Sequence, residues 1–188
     1  MGGIGMTPNK LDRLEQEVRT KLPALTMERL ADALVIHLAI SDLVQTMTRL
    51  RDDIALDFKL LIDLAGVHYP EREVPFELVY QLLSVHKNHR IRVKLPVPEG
   101  VLVPSISGVW GCANWYEREA YDMFGILFSG HPDLRRILND YDFHGYPLRK
   151  DFPVTGLVES RYDAVRGMLV KEPIRLKRED KEPYRKSP

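Results

Sequence analysis

Residues 75–96 read Pro-Phe-Glu-Leu-Val-Tyr-Gln-Leu-Leu-Ser-Val-His-Lys-Asn-His-Arg-Ile-Arg-Val-Lys-Leu-Pro. Phe76, Leu78, Tyr80 and Leu82 alternate with Glu77 and Gln81, and Ile91, Val93 and Leu95 alternate with Arg90, Arg92 and Lys94. A period of two marks a strand that buries one face. Between the two runs, Lys87-Asn88 supplies turn chemistry, and so short a separation forces the strands to run antiparallel. Upstream, Phe58, Leu60, Ile62 and Leu64 alternate with Lys59 and Asp63, which predicts a third strand joined to the pair through the turn formers of residues 66–75.

Outside this sheet the period changes. Leu11, Leu14, Val18 and Leu22 recur at helical spacing until Pro23, which predicts an amphipathic helix over residues 9–22. Residues 31–40 are short and apolar and precede Ser41-Asp42, the pattern of a buried strand followed by a helix N-cap. Leu43, Met47, Leu50 and Ile54 then share one helical face, opposite Arg49, Asp52 and Asp53. Asn114-Trp115-Tyr116-Glu117 has the form of a capping box, and its helix is expected to run through Phe124 and stop at Gly125. The expected architecture is therefore α+β: an antiparallel sheet of about four strands with helices packed on one face, followed by a long extended C-terminal arm.

The arm is read from a change of texture. Beyond residue 128, Gly130, Pro132, Gly145, Pro147, Pro153 and Gly156 punctuate a stretch with little periodicity. The expected division is a body over residues 1–128 and an extended, basic, subunit-binding arm over 129–188. Lys and Arg balance Asp and Glu at 27 each over the 188 residues, yet residues 149–188 hold 11 basic against 7 acidic side chains. The neutral total hides an acidic body and a basic arm. It also removes the electrostatic footprint of a nucleic-acid-binding domain. No apolar run approaches the roughly 18 residues of a membrane span, and residues 1–10 carry neither a secretory nor a transit pattern. The one cysteine, Cys112, excludes an internal disulfide framework and a self-contained iron–sulfur cluster, which takes about four thiolates.

Most of the isolated polar residues read as structural. His86 and His89 lack a third ligand and are expected to form a surface pair. His37 is expected in the core, His68 and His144 beside turns without partners, and Cys112 as a small packing residue. The densest polar cluster is Glu117, Arg118, Glu119 and Asp122, followed by His131, Asp133, Arg135 and Arg136. On a helix, Arg118 and Asp122 are i,i+4 neighbours and Glu119 and Asp122 are i,i+3 neighbours. Two close carboxylates suit general acid/base catalysis. No nucleophile, phosphate loop or metal pair accompanies them, so the expectation is a salt-bridge network tying the helix to residues 134–138 through Arg135 or Arg136. Residues 141–151 combine three aromatics with Arg149-Lys150, residue types that anchor protein interfaces.

Three runs carry a family resemblance: Glu-Arg-Glu-Ala-Tyr-Asp-Met-Phe-Gly-Ile at 117–126, Gly-His-Pro-Asp-Leu-Arg-Arg-Ile-Leu at 130–138, and Gly-Tyr-Pro-Leu-Arg-Lys-Asp-Phe-Pro at 145–153. They closely resemble the signature of the 30-kilodalton subunit family of respiratory complex I, the proton-pumping NADH:quinone oxidoreductase. With family-like pieces at Tyr80–Ser84 and Asn88–Arg90, the resemblance spans about residues 30–175. It implies a cofactor-free structural and assembly subunit of the peripheral arm and its quinone module, with flavin and iron–sulfur clusters held by partner subunits. The implied partners are the hydrogenase-large-subunit homologue of the same complex and neighbouring cluster-carrying subunits. The implied place is the cytoplasmic side of the bacterial inner membrane, or the matrix side in mitochondria. Glu117, Arg118, Glu119, Asp122, Gly125, His131, Pro132, Asp133, Arg135, Arg136, Tyr146, Arg149, Lys150 and Asp151 then become signature and interface groups, with no catalytic, cofactor or metal ligand among them. Two other readings stay open: the equivalent subunit of a related membrane-bound complex fed by ferredoxin or another carrier, and a stand-alone acid/base enzyme using Glu119 and Asp122. The chain departs from ubiquinone-type relatives at its end, where Leu176-Lys177-Arg178-Glu179-Asp180 and a lone Tyr184 replace an aromatic-rich segment.

Overall fold

The computed structural model describes residues 8–31 and 33–174; the divergent end at 176–188 lies outside the described residues. The chain divides into two compact units, Met1–Lys150 and Asp151–Pro188.

In the first unit, helix α1 (Pro8–Lys21) opens on a proline, whose missing N–H is harmless in a first turn, and closes with Arg19 and Lys21 at its negative end. Its stripe of Leu11, Leu14, Val18 and Leu22 is buried. Strands β1 (Thr26–Arg29) and β2 (Leu34–His37) follow, then a single 3-10 turn (Ile40–Asp42) and helix α2 (Leu43–Asp52). The long strands β3 (Leu60–His68), β4 (Phe76–Ser84) and β5 (His89–Val97) complete a five-stranded sheet ordered β1-β2-β5-β4-β3. Strand β6 (Leu102–Pro104), helix α3 (Ala113–Phe124) and strand β7 (Leu127–Ser129) then form a small parallel crossover.

The α+β class and the β4–β5 hairpin follow the sequence pattern. Phe76, Leu78, Tyr80, Leu82 and Ser84 face His89, Ile91, Val93, Leu95 and Val97 from one buried surface. Asn88 closes the turn with a positive φ of 51°, a conformation its short polar side chain tolerates. Helices α1, α2 and α3 all contribute to the core on that face.

Several expectations are corrected. The sheet has five strands, because Thr26–Arg29 pairs with β2; this mostly exposed strand carries no apolar alternation to read. Nor is it wholly antiparallel: β2 runs parallel to β5, reached by the crossover through α2 and the β3–β4 pair. In β3 the pairing steps from Leu61/Leu82 to Asp63/Gln81, so Ile62 is an extra, bulged residue. One extra residue reverses the faces beyond it. Leu61 and Leu64 are therefore buried with Phe58, while Leu60 and Ile62 are half-exposed. Ile54 lies past the end of α2 and is 91% exposed, where Asp53 Oδ1 accepts the Ala55 N–H and turns the chain. Glu117 closes no capping box: Cys112 precedes α3 without a side-chain cap. Asp42 likewise caps α2 by position only.

The expected boundary at 128/129 moves to 150/151, since residues 129–150 belong to the first unit. The described part of the second unit is not simply extended. It forms an antiparallel hairpin of β8 (Val158–Asp163) and β9 (Met168–Pro173).

Gly66 of β3 sits against α3. A Cβ there would lie 2.6 Å from Phe124 Cδ2, so the ring packs on bare backbone. Gly66→Val is expected to destabilise the chain by about 1–3 kcal/mol through overpacking. Urea denaturation checks this, and an unchanged midpoint would show that the contact is slack.

Candidate functional site

The signature residues gather at the C-terminal end of α3. Gly125, at φ 78°, ends the helix in the left-handed conformation and returns its N–H to Tyr121 O at 2.9 Å. A Cβ on it would approach Tyr146 to 2.6 Å and Arg149 Nη2 to 2.8 Å, so glycine is required for space as well as conformation.

Arg118 and Asp122, one helical turn apart, are both directed at the irregular segment 135–139. Arg118 donates from Nε to Arg135 O at 3.1 Å and from Nη2 to Arg136 O at 3.2 Å. Asp122 Oδ2 accepts the backbone N–H groups of Ile137, Leu138 and Asn139 at 3.0, 2.8 and 2.9 Å. Its Oδ1 accepts Arg136 Nη1 at 2.6 Å and Asn139 Nδ2 at 3.0 Å. The cation thus holds carbonyls and the anion holds amides. Burial opposes charge on Asp122, but the Asn139, Leu138 and Arg136 donors outweigh it and hold the carboxyl well below the usual carboxylate range.

Glu117 is the opposite case on the same helix. It is fully buried, with Ser105 Oγ donating to Oε2 at 2.6 Å and the Ile106 N–H to Oε1 at 2.7 Å. Burial pushes its carboxyl up against those two bonds. His131 Nε2 lies 3.9 Å from Oε2. His131 Nδ1 accepts the Asp133 N–H at 3.0 Å, which leaves Nε2 to donate to Asn114 O at 3.1 Å. Glu117 and His131 therefore fasten the loop after β6 and the segment after β7 to α3.

A strap over residues 143–150 completes the arrangement. Arg136 Nη2 reaches Gly145 O at 3.1 Å, and its guanidinium lies 5.5 Å from the Tyr146 ring. Arg149 donates from Nε to Phe124 O at 2.6 Å and from Nη1 to Glu99 Oε1 at 2.9 Å, with its guanidinium 4.7 Å from both the Phe76 and Tyr146 rings. The Lys150 N–H donates to His68 Nδ1 at 2.9 Å, and the His68 ring stacks on Phe76. His68 is therefore partnered, contrary to expectation.

The expected salt-bridge network forms through Arg136, while Arg135 points outward, more than half exposed, and pairs with Asp133 at 2.9 Å. Glu119 is exposed and does not converge with Asp122, whose oxygens are already occupied; the two do not make an acid/base pair. Asp151 is exposed, as is Pro132 beside His131. Lys150 is exposed too, and meets the rest of the site through its backbone N–H. Trp115, 61% exposed beside the Arg118 guanidinium, joins Arg135 on this outer surface, and periodicity offered no reason to single it out. Asn139, Ser105 and Glu99 were also missed, because their parts depend on where loops return.

Elsewhere, His86 turns to Asp57 at 2.9 Å while His89 is buried, so they form no surface pair. His37 is partly exposed and meets Glu28 at 3.2 Å instead of entering the core. Cys112 is exposed, with Sγ 3.7 Å from Leu61 O. Among the described residues, no three His, Cys, Asp or Glu side chains are placed to hold a metal, and no helix is long and apolar enough to cross a membrane.

Residues 36–158 match the family model described as respiratory-chain NADH dehydrogenase, 30 Kd subunit. Relatives named as the same lettered subunit of NADH-quinone oxidoreductase share about half of their residues with the chain. The one from Methylobacterium sp. (strain 4-46) is 50% identical over 171 residues, covering 90% of this chain and 80% of that one. Its counterpart in Caulobacter vibrioides is 51% identical over 167 residues, covering 88% and 85%. Among solved structures, a trypsin-resistant fragment of Nqo5 aligns with a TM-score of 0.57 at 32% identity, over 66% of this chain and 99% of the fragment. A protein of an archaeal respiratory membrane complex, the membrane-bound sulfane sulfur reductase, aligns with a TM-score of 0.67 at 25% identity, over 77% and 86%.

The two carboxylates make opposite pH predictions. Asp122 contributes stability that is present above its ordinary pKa of 3.8 and lost as pH falls toward its lowered native value. Glu117, with a raised native pKa, contributes fully below its ordinary 4.5 and loses that contribution as pH rises. Asp122→Asn is expected to cost about 3–5 kcal/mol near neutrality, as for one partner removed from a buried pair, and less in acid. Glu117→Gln is expected to gain on the wild type between acid and neutral pH. Chemical denaturation across that range reads both slopes, and parallel curves would refute the assignment.

Proposed function

The chain belongs to the 30-kDa subunit family of respiratory-chain NADH dehydrogenases, and from that membership we propose that it is a structural and assembly subunit with no redox chemistry of its own. It serves in the peripheral arm of NADH:quinone oxidoreductase. Electron transfer from NADH to quinone, coupled to proton translocation, belongs to its partners, which hold the flavin and clusters. Its place is peripheral, on the cytoplasmic side of the bacterial inner membrane, against the hydrogenase-large-subunit homologue and the neighbouring cluster-carrying subunits.

The observation that carries this reading is where the signature side chains are used. Asp122, Arg118, Arg136 and Arg149 are occupied with holding the chain's own backbone. Their hydrogen bonds leave none of these four poised for reaction. What remains for partners is surface: Trp115 and Arg135 above the clamp, and the hairpin of the second unit. In that hairpin, cross-strand register puts Val158, Tyr162 and Leu169 on one face, with Tyr162 and Leu169 63% and 68% exposed. A lone two-stranded hairpin is marginal in water and gains stability when an apolar face is covered. Tyr and Arg are also favoured interface anchors. A second reading has its own support: the likeness to a protein of the archaeal membrane-bound sulfane sulfur reductase fits use of the same module in a respiratory membrane complex other than an NADH:quinone oxidoreductase. The NADH-quinone oxidoreductase relatives at about half identity favour the NADH-linked complex.

Association with the other subunits is tested in a bacterium whose complex I carries this chain. A chain ending at Lys150, or full-length chain with Tyr162→Asp and Leu169→Asp, is expected to keep the folded first unit and to lose co-purification with the hydrogenase-large-subunit homologue in mild detergent. Recovery of flavin, clusters and NADH oxidation at undiminished yield would refute the role given to the hairpin. Arg135→Ala is expected to weaken recovery without unfolding the chain, whereas Arg136→Ala is expected to destabilise the chain itself.

A further inference from the structure

The polar groups under α1 are poorly matched. Ser84, the last residue of β4, and His89, the first of β5, are directly opposite in the ladder. Ser84 is fully buried and His89 is 7% exposed. His89 Nδ1, Ser84 Oγ and Glu17 Oε2 of α1 are all buried without a hydrogen-bond partner. Such groups are rare in native proteins, because each loses its bonds to water and gains none in return.

The charges facing His89 come from two elements: Glu17 and Lys10 of α1, and Lys87 of the β4–β5 turn. Lys87 Nζ is 3.6 Å from Glu17 Oε2 and also donates to Ala55 O. The imidazole thus meets one carboxylate and two cations, and that carboxylate is shared with Lys87. A neutral ring suits this setting. An imidazolium would bring a third positive charge into a desolvated place.

We propose that His89 is a pH-sensitive latch for α1: its neutral ring lets the helix dock over the β4–β5 hairpin, and its protonation releases it. Burial pushes the His89 imidazole below its ordinary 6.5, and Lys87 and Lys10 add to this against the opposing pull of Glu17. The open form, with a solvated ring, binds the proton more readily. Docking is therefore fully stabilised above pH 6.5 and weakens as pH falls through it toward the lowered native value. Every pH unit by which the docked ring lies below the open one shifts the docked-to-open ratio by up to about tenfold. Release uncovers the Leu11, Leu14 and Val18 stripe of α1 and the sheet face beneath it.

Hydrogen exchange of the complete chain, at pH 7 and at about 5.5 with intrinsic exchange rates corrected, tests the latch on the window where an ordinary histidine titrates. Protection of the α1 amides is expected to fall several-fold more than that of α3, and His89→Phe, which keeps a ring without a titratable nitrogen, is expected to abolish the difference. NMR titration of the wild-type His89 ring gives a second reading that does not depend on the variant folding, with an apparent pKa below its ordinary 6.5 expected. Equal changes in α1 and α3, acid opening that persists in His89→Phe, or a ring pKa at or above that ordinary value would each overturn the proposal.

Discussion

A carboxylate withdrawn from water needs several donors at once, and Asp122 obtains them from one short stretch of backbone and one arginine. The geometry of the first unit depends on this. Residues 135–139 have no helix or strand of their own to satisfy their backbone. Asp122 takes three of their N–H groups and Arg118 takes two of their carbonyls, so one turn of α3 stands in for a missing strand. Arg136, held by Asp122, then reaches the strap at Gly145, and Arg149 returns from the strap to the last carbonyl of α3. Residues 135–149 are tied by charge-assisted bonds, which are shorter and stronger than hydrogen bonds between neutral groups.

The division between clamp and surface also explains why Glu119 and Asp122, adjacent on one helix, do not converge as an acid/base pair. Glu117 and Asp122 occupy one helix and are both fully buried, yet their environments push them in opposite directions. Asp122 meets a concentration of donors, whereas Glu117 meets two donors and a largely apolar core. Neither is open to a substrate. Spacing along a helix can bring carboxylates onto one side, but the packing of loops decides whether they share a proton, bind a cation or hold backbone.

How much of the fold was legible depends on whether the signal was local. The β4–β5 hairpin was readable because alternation and a short turn act within neighbouring residues, and α1 and the stop at Gly125 were readable for the same reason. The bulge at Ile62 was not, since Leu60, Leu61, Ile62 and Leu64 fit two registers equally and only pairing with β4 selects one. The parallel pairing of β2 with β5 was hidden because Leu34 and Ile91 lie far apart along the chain. In the candidate site, the ion pair to the Arg135-Arg136 dipeptide was anticipated from charge, but which arginine turns inward was not. Backbone N–H groups, the main partners of Asp122, leave no mark in the sequence.

By itself the sequence determined the α+β class, the helix and hairpin positions and, through three long signature runs, the family. Each rests on residue type and short-range spacing. Tertiary structure alone decided that residues 129–150 belong to the first unit, that the second unit carries a hairpin with exposed apolar side chains, and that Glu117, Arg118, Asp122, Arg136 and Arg149 among the signature charges are internal fastenings. The physical reason is that a buried charge is defined by what returns to it. Asp122 acquires its role only when residues 136–139 fold back over α3, a closure that no local pattern encodes.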